Sequence, residues 1–253
     1  MIQIQSLTKK FNNNLVLNEL SLEVKTGQTC VIIGRSGCGK SVLLKHIVGL
    51  LKPDKGRILV QGQEVASLKE LALVALRLKI SMVFQGGALF DSMDVSENVG
   101  FSLIEHTCLK PKEIADRVEE SLSLVGLCGI GNLMPSELSG GMKKRVALAR
   151  AICIHPEIIL YDEPTTGVDP ITADNINELI RSLHDKLKVT SLVVTHDMKS
   201  AYHIADKIAM MYKGRIISEG TPEQIQGTAD PVVRQFINGF SKGPITDIAD
   251  TFK

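Results

Sequence analysis

A glycine-rich segment near the start of the chain has the residue types and spacing that hold a polyphosphate. Residues 34–41 read Gly-Arg-Ser-Gly-Cys-Gly-Lys-Ser and fit the pattern G-x-x-x-x-G-K-[ST] between a predicted strand and a predicted helix. Glycines let successive backbone N–H groups turn toward an anion, and the helix adds its positive N-terminal end. We expect Lys40 to reach the β- and γ-phosphates and Ser41 to ligate Mg²⁺. The alternative is a glycine-rich turn with an incidental lysine.

Two carboxylates follow an apolar run farther along the chain. Asp162 and Glu163 come directly after residues 158–161, Ile-Ile-Leu-Tyr, which read as a buried strand. Ligands of open α/β sheets bind at the carboxyl ends of the strands. We therefore expect Asp162 to hold Mg²⁺ and Glu163 to act as the general base for water. The alternative is that the pair only leaves the sheet and caps the next segment.

Two further polar residues follow predicted strands. Gln85 comes after residues 80–84, and His196 comes after residues 191–195. Both should emerge at the sheet edge that carries Lys40 and Asp162, where His196 would donate a hydrogen bond to the γ-phosphate and Gln85 would join the Mg²⁺ ligands. The other histidines have no such setting and are expected to be structural or exposed: His46, His106, His155, His184 and His203.

A second glycine motif opens a predicted helix over residues 139–154. Residues 138–142 read Leu-Ser-Gly-Gly-Met. Ser139 taken alone would be an ordinary N-cap. Gly140 and Gly141 remove side chains from the start of the helix and expose its N–H groups, which predicts a second anion site.

The elements that must position these residues alternate between strand and helix. We predict half-buried antiparallel strands around residues 12–14, buried strands at 30–33, 80–84 and 158–161, and further strands at 58–60 and 191–195. Helices are predicted at 41–50, 68–77, 139–154, 171–187 and about 231–240, and a hairpin at 208–218. Residues 95–131 read as a predominantly helical insertion with a start at Pro111. The fold class is α/β with a mostly parallel sheet.

Composition narrows the function classes. The 253 residues are 44% hydrophobic and 23% charged with a formal net charge of +1, which predicts a folded chain and gives no reason to expect nucleic acid as a partner. The five cysteines form no CxxC pair, so a reducing cytoplasm is the expected environment. No apolar stretch approaches the roughly 18 to 20 residues that span a bilayer, and the first residues lack the pattern of a signal peptide. We expect any membrane role to go through partners.

Taken together, these motifs resemble the nucleotide-binding domain of ABC transporters, which are P-loop NTPases. The resemblance implies one domain over residues 1–253, with a β subdomain and core at 1–94 and 155–220, a helical signature subdomain at 95–154 and a helical tail at 221–253. It also implies ATP hydrolysis with Mg²⁺ in a head-to-tail dimer, in which each ATP lies between the phosphate loop of one subunit and the signature helix of the other. The residues implied to contact nucleotide are Phe11, Gly34, Arg35, Ser36, Gly37, Cys38, Gly39, Lys40, Ser41, Val42, Gln85, Ser139, Gly140, Gly141, Asp169 and His196.

Two of these roles come from the resemblance alone. Phe11 looks like the aromatic residue that stacks on adenine, although it could equally be a core residue. Asp169 looks like the residue that links the two sites across the dimer.

A redox switch at Cys38 is a further possibility. The simpler alternative is that Cys38 is only a small residue in the loop.

A narrower resemblance points to the ATPases of Mla and Mce-associated lipid transport. It is carried by residues 84–90 (Phe-Gln-Gly-Gly-Ala-Leu-Phe), by residues 134–145 with Met142, by Asp169-Pro170-Ile171-Thr172 and by residues 232–244. It implies a peripheral location on the cytoplasmic face of the inner membrane, a membrane-embedded permease, an Mce-type lipid-binding protein and a small regulatory subunit. The alternatives are a transporter ATPase for another cargo, such as an amino acid, ion or drug, and a soluble ABC protein that acts on ribosomes, DNA or iron–sulfur assembly.

The expected docking groove for the permease lies between Gln85 and Asn98. The apolar residues expected to supply contacts there are Met82, Leu89, Phe90 and Met93. The alternative for these four is a place in the core.

Overall fold

The computed structural model describes residues 1–246, so the last part of the predicted tail, 247–253, lies outside the described residues. Backbone contacts divide the chain into two compact units. The first unit comprises Met1–Val24, Gln28–Ala66 and the chain from Val194 onward; the second comprises Lys25–Gly27 and Ser67–Val193. These boundaries differ from the predicted subdivision at residues 95–154, which stays a prediction.

An antiparallel sheet occupies the N-terminal part of the first unit. Its strands are β1 (Ile2–Phe11), β2 (Asn14–Val24), β4 (Lys55–Val60) and β5 (Gln63–Glu64), in the order β2-β1-β4-β5. Alternating apolar residues bury one face, as Ile2 and Ile4 on β1 show. Phe11 pairs with Asn14 across a two-residue turn, in which Asn12 takes a left-handed conformation that asparagine tolerates. The predicted strands around residues 12–14 are confirmed.

Three more strands and four helices complete the first unit. They are β3 (Thr29–Ile33), α1 (Lys40–Ile47), α7 (Met198–Ile204), β9 (Lys207–Tyr212), β10 (Arg215–Gly220), α8 (Pro222–Gln226) and α9 (Pro231–Asn238). The strands are hydrogen-bonded in the order β10-β9-β3, with β3 parallel to β9 and the predicted hairpin joining β9 to β10. Every residue of β3 is buried, as its continuous apolar run predicts. Helix α9 stops two residues earlier than predicted because Gly239 leaves it in a left-handed conformation.

The second unit alternates helices and strands. Its elements are α2 (Glu70–Arg77), β6 (Ile80–Val83), α3 (Val95–His106), α4 (Pro111–Leu124), α5 (Gly140–Cys153), β7 (Ile158–Asp162), α6 (Pro170–Leu187) and β8 (Thr190–Thr195), whose last two residues belong to the first unit. The strand order is β8-β7-β6, and β6 runs parallel to β7. The predicted α/β class and parallel pairing are confirmed.

Helices α3, α4 and α5 pack against one another, and α3 and α4 lie in residues 95–131, which were predicted to be predominantly helical. Helix α3 begins with a capping box, in which the Asp94 carboxylate accepts from the N–H of Glu97 at 2.8 Å and the Glu97 carboxylate accepts from the N–H of Asp94 at 2.9 Å. Helix α4 begins at Pro111, as predicted. Within residues 1–246, no helix combines the length and apolar character that a membrane span needs.

A buried histidine on α1 makes the stability of this fold sensitive to pH. Burial is the main influence on His46 and lowers its pKa below the ordinary value of about 6.5. The Val42 carbonyl, 2.7 Å from Nδ1, and Asp54 oppose that shift, whereas Lys9 adds to it. Because the unfolded chain binds this proton at a higher pH than the folded chain, the stabilisation is complete above pH 6.5 and is lost as the pH falls below it.

We therefore expect the free energy of unfolding to fall between pH 7.5 and pH 5.5, and to fall less in His46→Gln. Urea unfolding at the two pH values measures both. His106→Gln, at an exposed position, is the control and should keep the full pH dependence. An equal loss in His46→Gln and the unsubstituted protein would contradict the prediction.

Candidate functional site

The phosphate loop of the first unit joins β3 to α1 through glycines that no other residue can replace without strain. Gly37 and Gly39 have φ values of 80° and 110°. A Cβ on Gly39 would lie 2.9 Å from Leu17 Cδ2 and 3.1 Å from the Val16 carbonyl oxygen, so this part of the loop packs directly on β2. A Cβ on Gly37 would meet no atom within 4 Å. The loop is therefore anchored at Gly39 and open at Gly37.

Lys40 and the start of α1 supply positive charge at this loop. Lys40 is buried, and its Nζ donates to the carbonyl oxygens of Gly34 at 2.8 Å and Arg35 at 3.2 Å. No side chain caps α1, and its first turn, which includes Ser41 and Val42, holds no acidic residue. An uncapped helix N-terminus beside a lysine fits an anion of the phosphate class.

The remaining loop residues lie around this cradle. Arg35, Ser36 and Gly37 are exposed, whereas Cys38 is half-buried. Cys38 Sγ lies 2.9 Å from the position that a Cβ of Gly34 would take. This packing within the loop favours the simpler interpretation of Cys38 over a redox switch.

His196 and Phe11 also belong to the first unit. His196 is exposed directly after β8, in a turn where the Asp197 N–H donates to Thr195 Oγ1 at 3.0 Å. The Asp197 carboxylate accepts from the N–H groups of Lys199 and Ser200, which fixes the other side of the turn. Phe11, at the end of β1, is 40% exposed, so the core alternative for this residue is wrong.

The acidic pair lies at the end of β7 in the second unit. Asp162 is the last residue of the strand and is half-buried. Glu163 is only 8% exposed, has a φ of 50° and accepts a hydrogen bond from Thr166 Oγ1 at 3.2 Å. A left-handed conformation in a residue other than glycine costs of order 1–3 kcal/mol and is typical of functional positions. The next helix, α6, is capped by Asp169, so neither carboxylate of the pair is its N-cap, although Glu163 does bond the turn that directly follows the strand.

Gln85 leaves the sheet next to this pair. Val83 of β6 pairs with Tyr161 of β7, and because the two strands are parallel, Gln85 and Glu163 follow at the same strand ends. The buried Lys144 of α5 donates through Nζ to the Gln85 carbonyl oxygen. Burial lowers the pKa of Lys144, and the Glu163 carboxylate opposes that shift. The structure thus brings Gln85, Lys144 and Glu163 together.

Lys144 is a residue that the sequence analysis missed as part of this site. The signal for it was a basic residue on a helix whose neighbouring positions are apolar: Val146, Ala147 and Leu148 are all buried. A lysine is almost never buried without a partner, so its position on that helix predicts an acceptor nearby.

The second glycine motif begins α5. Ser139 is exposed, and its Oγ accepts from the Met142 N–H at 3.3 Å, so the N-cap interpretation is correct locally. A Cβ on Gly141 would lie 2.9 Å from Thr172 Cγ2, whereas one on Gly140 would meet nothing within 4 Å. The first turn holds no acidic residue. The start of α5 is therefore both capped and open to an anion on the Gly140 side.

Asp169 has a structural role that the resemblance did not imply. Its carboxylate caps α6 by accepting from the N–H groups of Ile171 and Thr172, each at 3.0 Å, and from Thr172 Oγ1 at 2.5 Å. The Thr172 hydroxyl is the main cause that lowers the pKa of Asp169. The predicted role of Asp169 across a dimer stays a prediction.

An apolar groove of about 570 Å³ lies in the second unit beside residues 85–90, which follow β6 and are called the Gln85 loop below. Met82 and Phe90 line it, as predicted, together with Phe84 and Phe101; Leu89 and Met93 are half-buried and are not among its lining residues. Phe90 is 42% exposed, so the core alternative does not hold for it. The groove is an exposed aromatic surface.

Asn98 holds the chain that carries Phe90. This asparagine is fully buried on α3; its Oδ1 accepts from the Phe90 N–H at 2.8 Å, and its Nδ2 donates to the carbonyl oxygens of Phe90, Met93 and Asp94, each at 3.0 Å. One side chain thereby satisfies four backbone groups of an irregular segment.

A family model, curated relatives and solved structures all relate the chain to ATP-binding proteins of the same kind. Residues 17–166 match the family model described as ABC transporter. The chain is 43% identical to the intermembrane phospholipid transport system ATP-binding protein MlaF of Haemophilus influenzae, over 97% of this chain and 93% of that protein. It is 40% identical to the probable ribonucleotide transport ATP-binding protein mkl of Mycobacterium leprae, over 96% of this chain and 70% of that protein. Among solved structures, the ATP-binding cassette MJ0796, a post-hydrolysis dimer bound to ADP and phosphate, matches with a TM-score of 0.80 and 32% identity, over 88% of this chain and 99% of that one.

Substitution of Gly37 and of Gly39 by alanine should lower the free energy of unfolding by different amounts. Gly37→Ala places a Cβ in open space and pays only for the left-handed backbone, about 1–2 kcal/mol. Gly39→Ala adds a clash with β2, for a further cost of about 1–3 kcal/mol. Urea unfolding of the two variants measures the difference. Equal destabilisation would mean that the Gly39 contact with Leu17 and Val16 does not anchor the loop.

Proposed function

The chain belongs to the ABC transporter family, and from this premise we propose that it is the ATP-hydrolysing subunit of a membrane transporter that moves phospholipid or another lipid. The observation that carries the ATPase assignment is the phosphate loop of the first unit, where the buried Lys40 and the uncapped start of α1 form a cradle for an anion. The full-length similarity to MlaF supports the lipid cargo.

Residues of the first unit are assigned to the nucleotide. The amides of residues 34–41 wrap the phosphates, and Lys40 exchanges its loop carbonyl partners for the β- and γ-phosphate oxygens. His196 donates a hydrogen bond to the γ-phosphate from its fixed turn. Phe11 stacks on adenine, which its exposure permits.

The carboxylates are assigned to the metal and to water. Ser41 in the first unit and Gln85 and Asp162 in the second are each assigned to Mg²⁺ from the sequence motifs; oxygen donors of this kind suit that ion. When bound, Mg²⁺ neutralises charge on the phosphates. Glu163 orients the attacking water and accepts its proton, and its buried, hydrogen-bonded position limits the directions in which the carboxylate can face.

A second copy of the chain completes each site. Ser139, Gly140 and Gly141 of the partner subunit would face the γ-phosphate, since the start of α5 is exposed and lacks acidic residues. The cassette MJ0796, which is similar over most of this chain, is a dimer in its structure with ADP and phosphate. Asp169, at the start of α6, is assigned to the link between the two sites.

The aromatic groove of the second unit is assigned to a permease. Phe84 and Phe90 expose 40% and 42% of their surface there, which suits an apolar helix of a membrane partner. We therefore assign the protein a peripheral location on the cytoplasmic face of the inner membrane. The sequence motifs that resemble Mla and Mce-associated ATPases lead us to assign an Mce-type lipid-binding protein and a small regulatory subunit to the same assembly.

A second cargo class is kept as an alternative. The relative of Mycobacterium leprae carries a name that refers to ribonucleotide transport. The groove and the site would serve the same motor with any cargo, because the ATPase subunit does not need to contact what is moved. The identity of the permease therefore decides the cargo.

Two substitutions separate hydrolysis from binding. Glu163→Gln should keep ATP affinity within a few-fold and lower kcat by about 10²–10⁴, because only proton acceptance is lost. Lys40→Ala should weaken ATP binding itself, by about 10-fold or more, because a charge at the phosphates is removed. Steady-state hydrolysis and equilibrium binding of ATP measure both. Glu157→Gln, an exposed carboxylate that precedes β7, is the control; near-normal turnover in Glu163→Gln would remove Glu163 from its role.

Purification of the tagged chain from its native membrane tests the transporter assignment. We expect a permease and a lipid-binding protein to copurify, and Phe90→Asp to lose the permease while it keeps ATP binding, because a charge in the groove opposes an apolar helix. Leu50→Asp, at an exposed position of the first unit, is the control. Recovery of a solute-type permease would leave the ATPase assignment unchanged and would indicate a cargo of another class.

A further inference from the structure

The Gln85 loop is held on α5 by two basic side chains rather than by a regular strand or helix. Lys144 Nζ donates to the carbonyl oxygen of Gln85. Arg150 donates through Nη2 to the carbonyl oxygen of Gly87 at 2.7 Å and through Nη1 to that of Ala88 at 2.8 Å. Three carbonyl groups of one short loop thus accept from cations of one helix.

These cations share one face of α5 with the loop. Lys144, Ala147 and Arg150 follow at spacings of three residues, and because each step turns about 60° around the helix, Ala147 lies between the two cations on one broad side of α5. A Cβ on Gly87 would lie 3.7 Å from Ala147 Cβ, so the loop backbone runs close to this face. Gly87 and Ala88 have φ values of 78° and 47°, which is why the loop presents its carbonyl groups to the helix instead of pairing with a strand.

Lys144 differs from Arg150 because the carboxylate assigned as the catalytic base also acts on it electrostatically. It is only 7% exposed, and Glu163 interacts favourably with its ammonium group. A buried ammonium group needs acceptors and a counter-charge, and here the Gln85 carbonyl and Glu163 supply them. The hydrogen bond to the Gln85 carbonyl therefore holds the ammonium group on the loop, and the Glu163 carboxylate favours its charged form.

We propose that Lys144 is a positioning residue for ATP hydrolysis, which holds the backbone at Gln85 on α5 beside Glu163 and so sets the geometry of both side chains. This inference rests on the proposed function, since it concerns how the assigned catalytic residues are held. Lys144 itself contacts no substrate in this proposal. It acts through Gln85 and Glu163, so that a displacement of the loop changes turnover more than nucleotide affinity.

Steady-state ATP hydrolysis by the purified full chain tests the proposal with a graded set of variants. Lys144→Met removes both donor and charge and should lower kcat by about 10- to 100-fold while KM for ATP changes by less than about 3-fold. Lys144→Arg keeps both and should restore most of the turnover. Lys144→Gln keeps only a donor and should lie between them. Lys143→Met, the adjacent half-buried lysine, is the matched control and should match the unsubstituted protein.

Hydrogen–deuterium exchange on the same variants separates positioning from a general loss of structure. Lys144→Met should increase exchange in residues 85–90 and leave the rest of α5 protected. If Lys144→Met does not fold, Lys144→Gln carries the same comparison, with a smaller fall in kcat expected.

The proposal is overturned if Lys144→Met, or Lys144→Gln in its place, keeps kcat within about 2-fold, if KM rises while kcat holds, or if exchange increases uniformly along α5. A Lys143→Met variant as impaired as Lys144→Met would also overturn it. Failure of the proposed function is read separately, on the unsubstituted protein: if that protein hydrolyses no ATP, the ATPase assignment fails and the positioning role falls with it.

Discussion

Phosphate recognition by backbone N–H groups is the constraint on which the first unit depends. Residues 34–39 lead from a buried strand directly into a helix. This turn requires positive φ values, which residues with a Cβ rarely adopt, and Gly37 and Gly39 provide them. Strand β2 supports this turn, because Gly39 packs against Val16 and Leu17 of that strand. The antiparallel sheet of the first unit therefore also supports the loop.

Positive charge is placed in the same manner in both units, at backbone carbonyl groups. Lys40 donates to carbonyl oxygens of its own loop, and Lys144 and Arg150 donate to those of the Gln85 loop. A cation that is removed from water needs such acceptors, since burial alone disfavours its charged form. These interactions have different consequences in the two units. In the first unit, a bound nucleotide can replace the carbonyl oxygens as partners of Lys40. In the second unit, Lys144 and Arg150 hold an irregular loop in a defined position.

In the proposed function, the groove beside the Gln85 loop is where a membrane partner docks. Phe90 stands at the groove with its ring 4.8 Å from that of Phe101 and with the Arg150 guanidinium 5.9 Å from its centroid. Arg150 therefore contacts both the aromatic surface and the loop backbone. A helix that docks in the groove would press on the same segment that carries Gln85, which gives a short physical route between the permease and the site.

The sequence by itself determined the elements and the chemistry of the motifs. Short-range rules suffice for these, because a phosphate loop, a capping residue or an apolar run is specified by neighbours within a few residues, and the predicted strands and helices agree with the structure to within a few residues. Only the tertiary structure decided which residues far apart in the chain meet. Lys144 and Gln85 are 59 positions apart, and their contact depends on how α5 packs on the loop, which no local pattern encodes. The same holds for Phe11, whose exposure excludes a place in the core, and for Leu89 and Met93, which are half-buried and do not line the groove. Burial is a property of the packed chain, so these assignments required the fold.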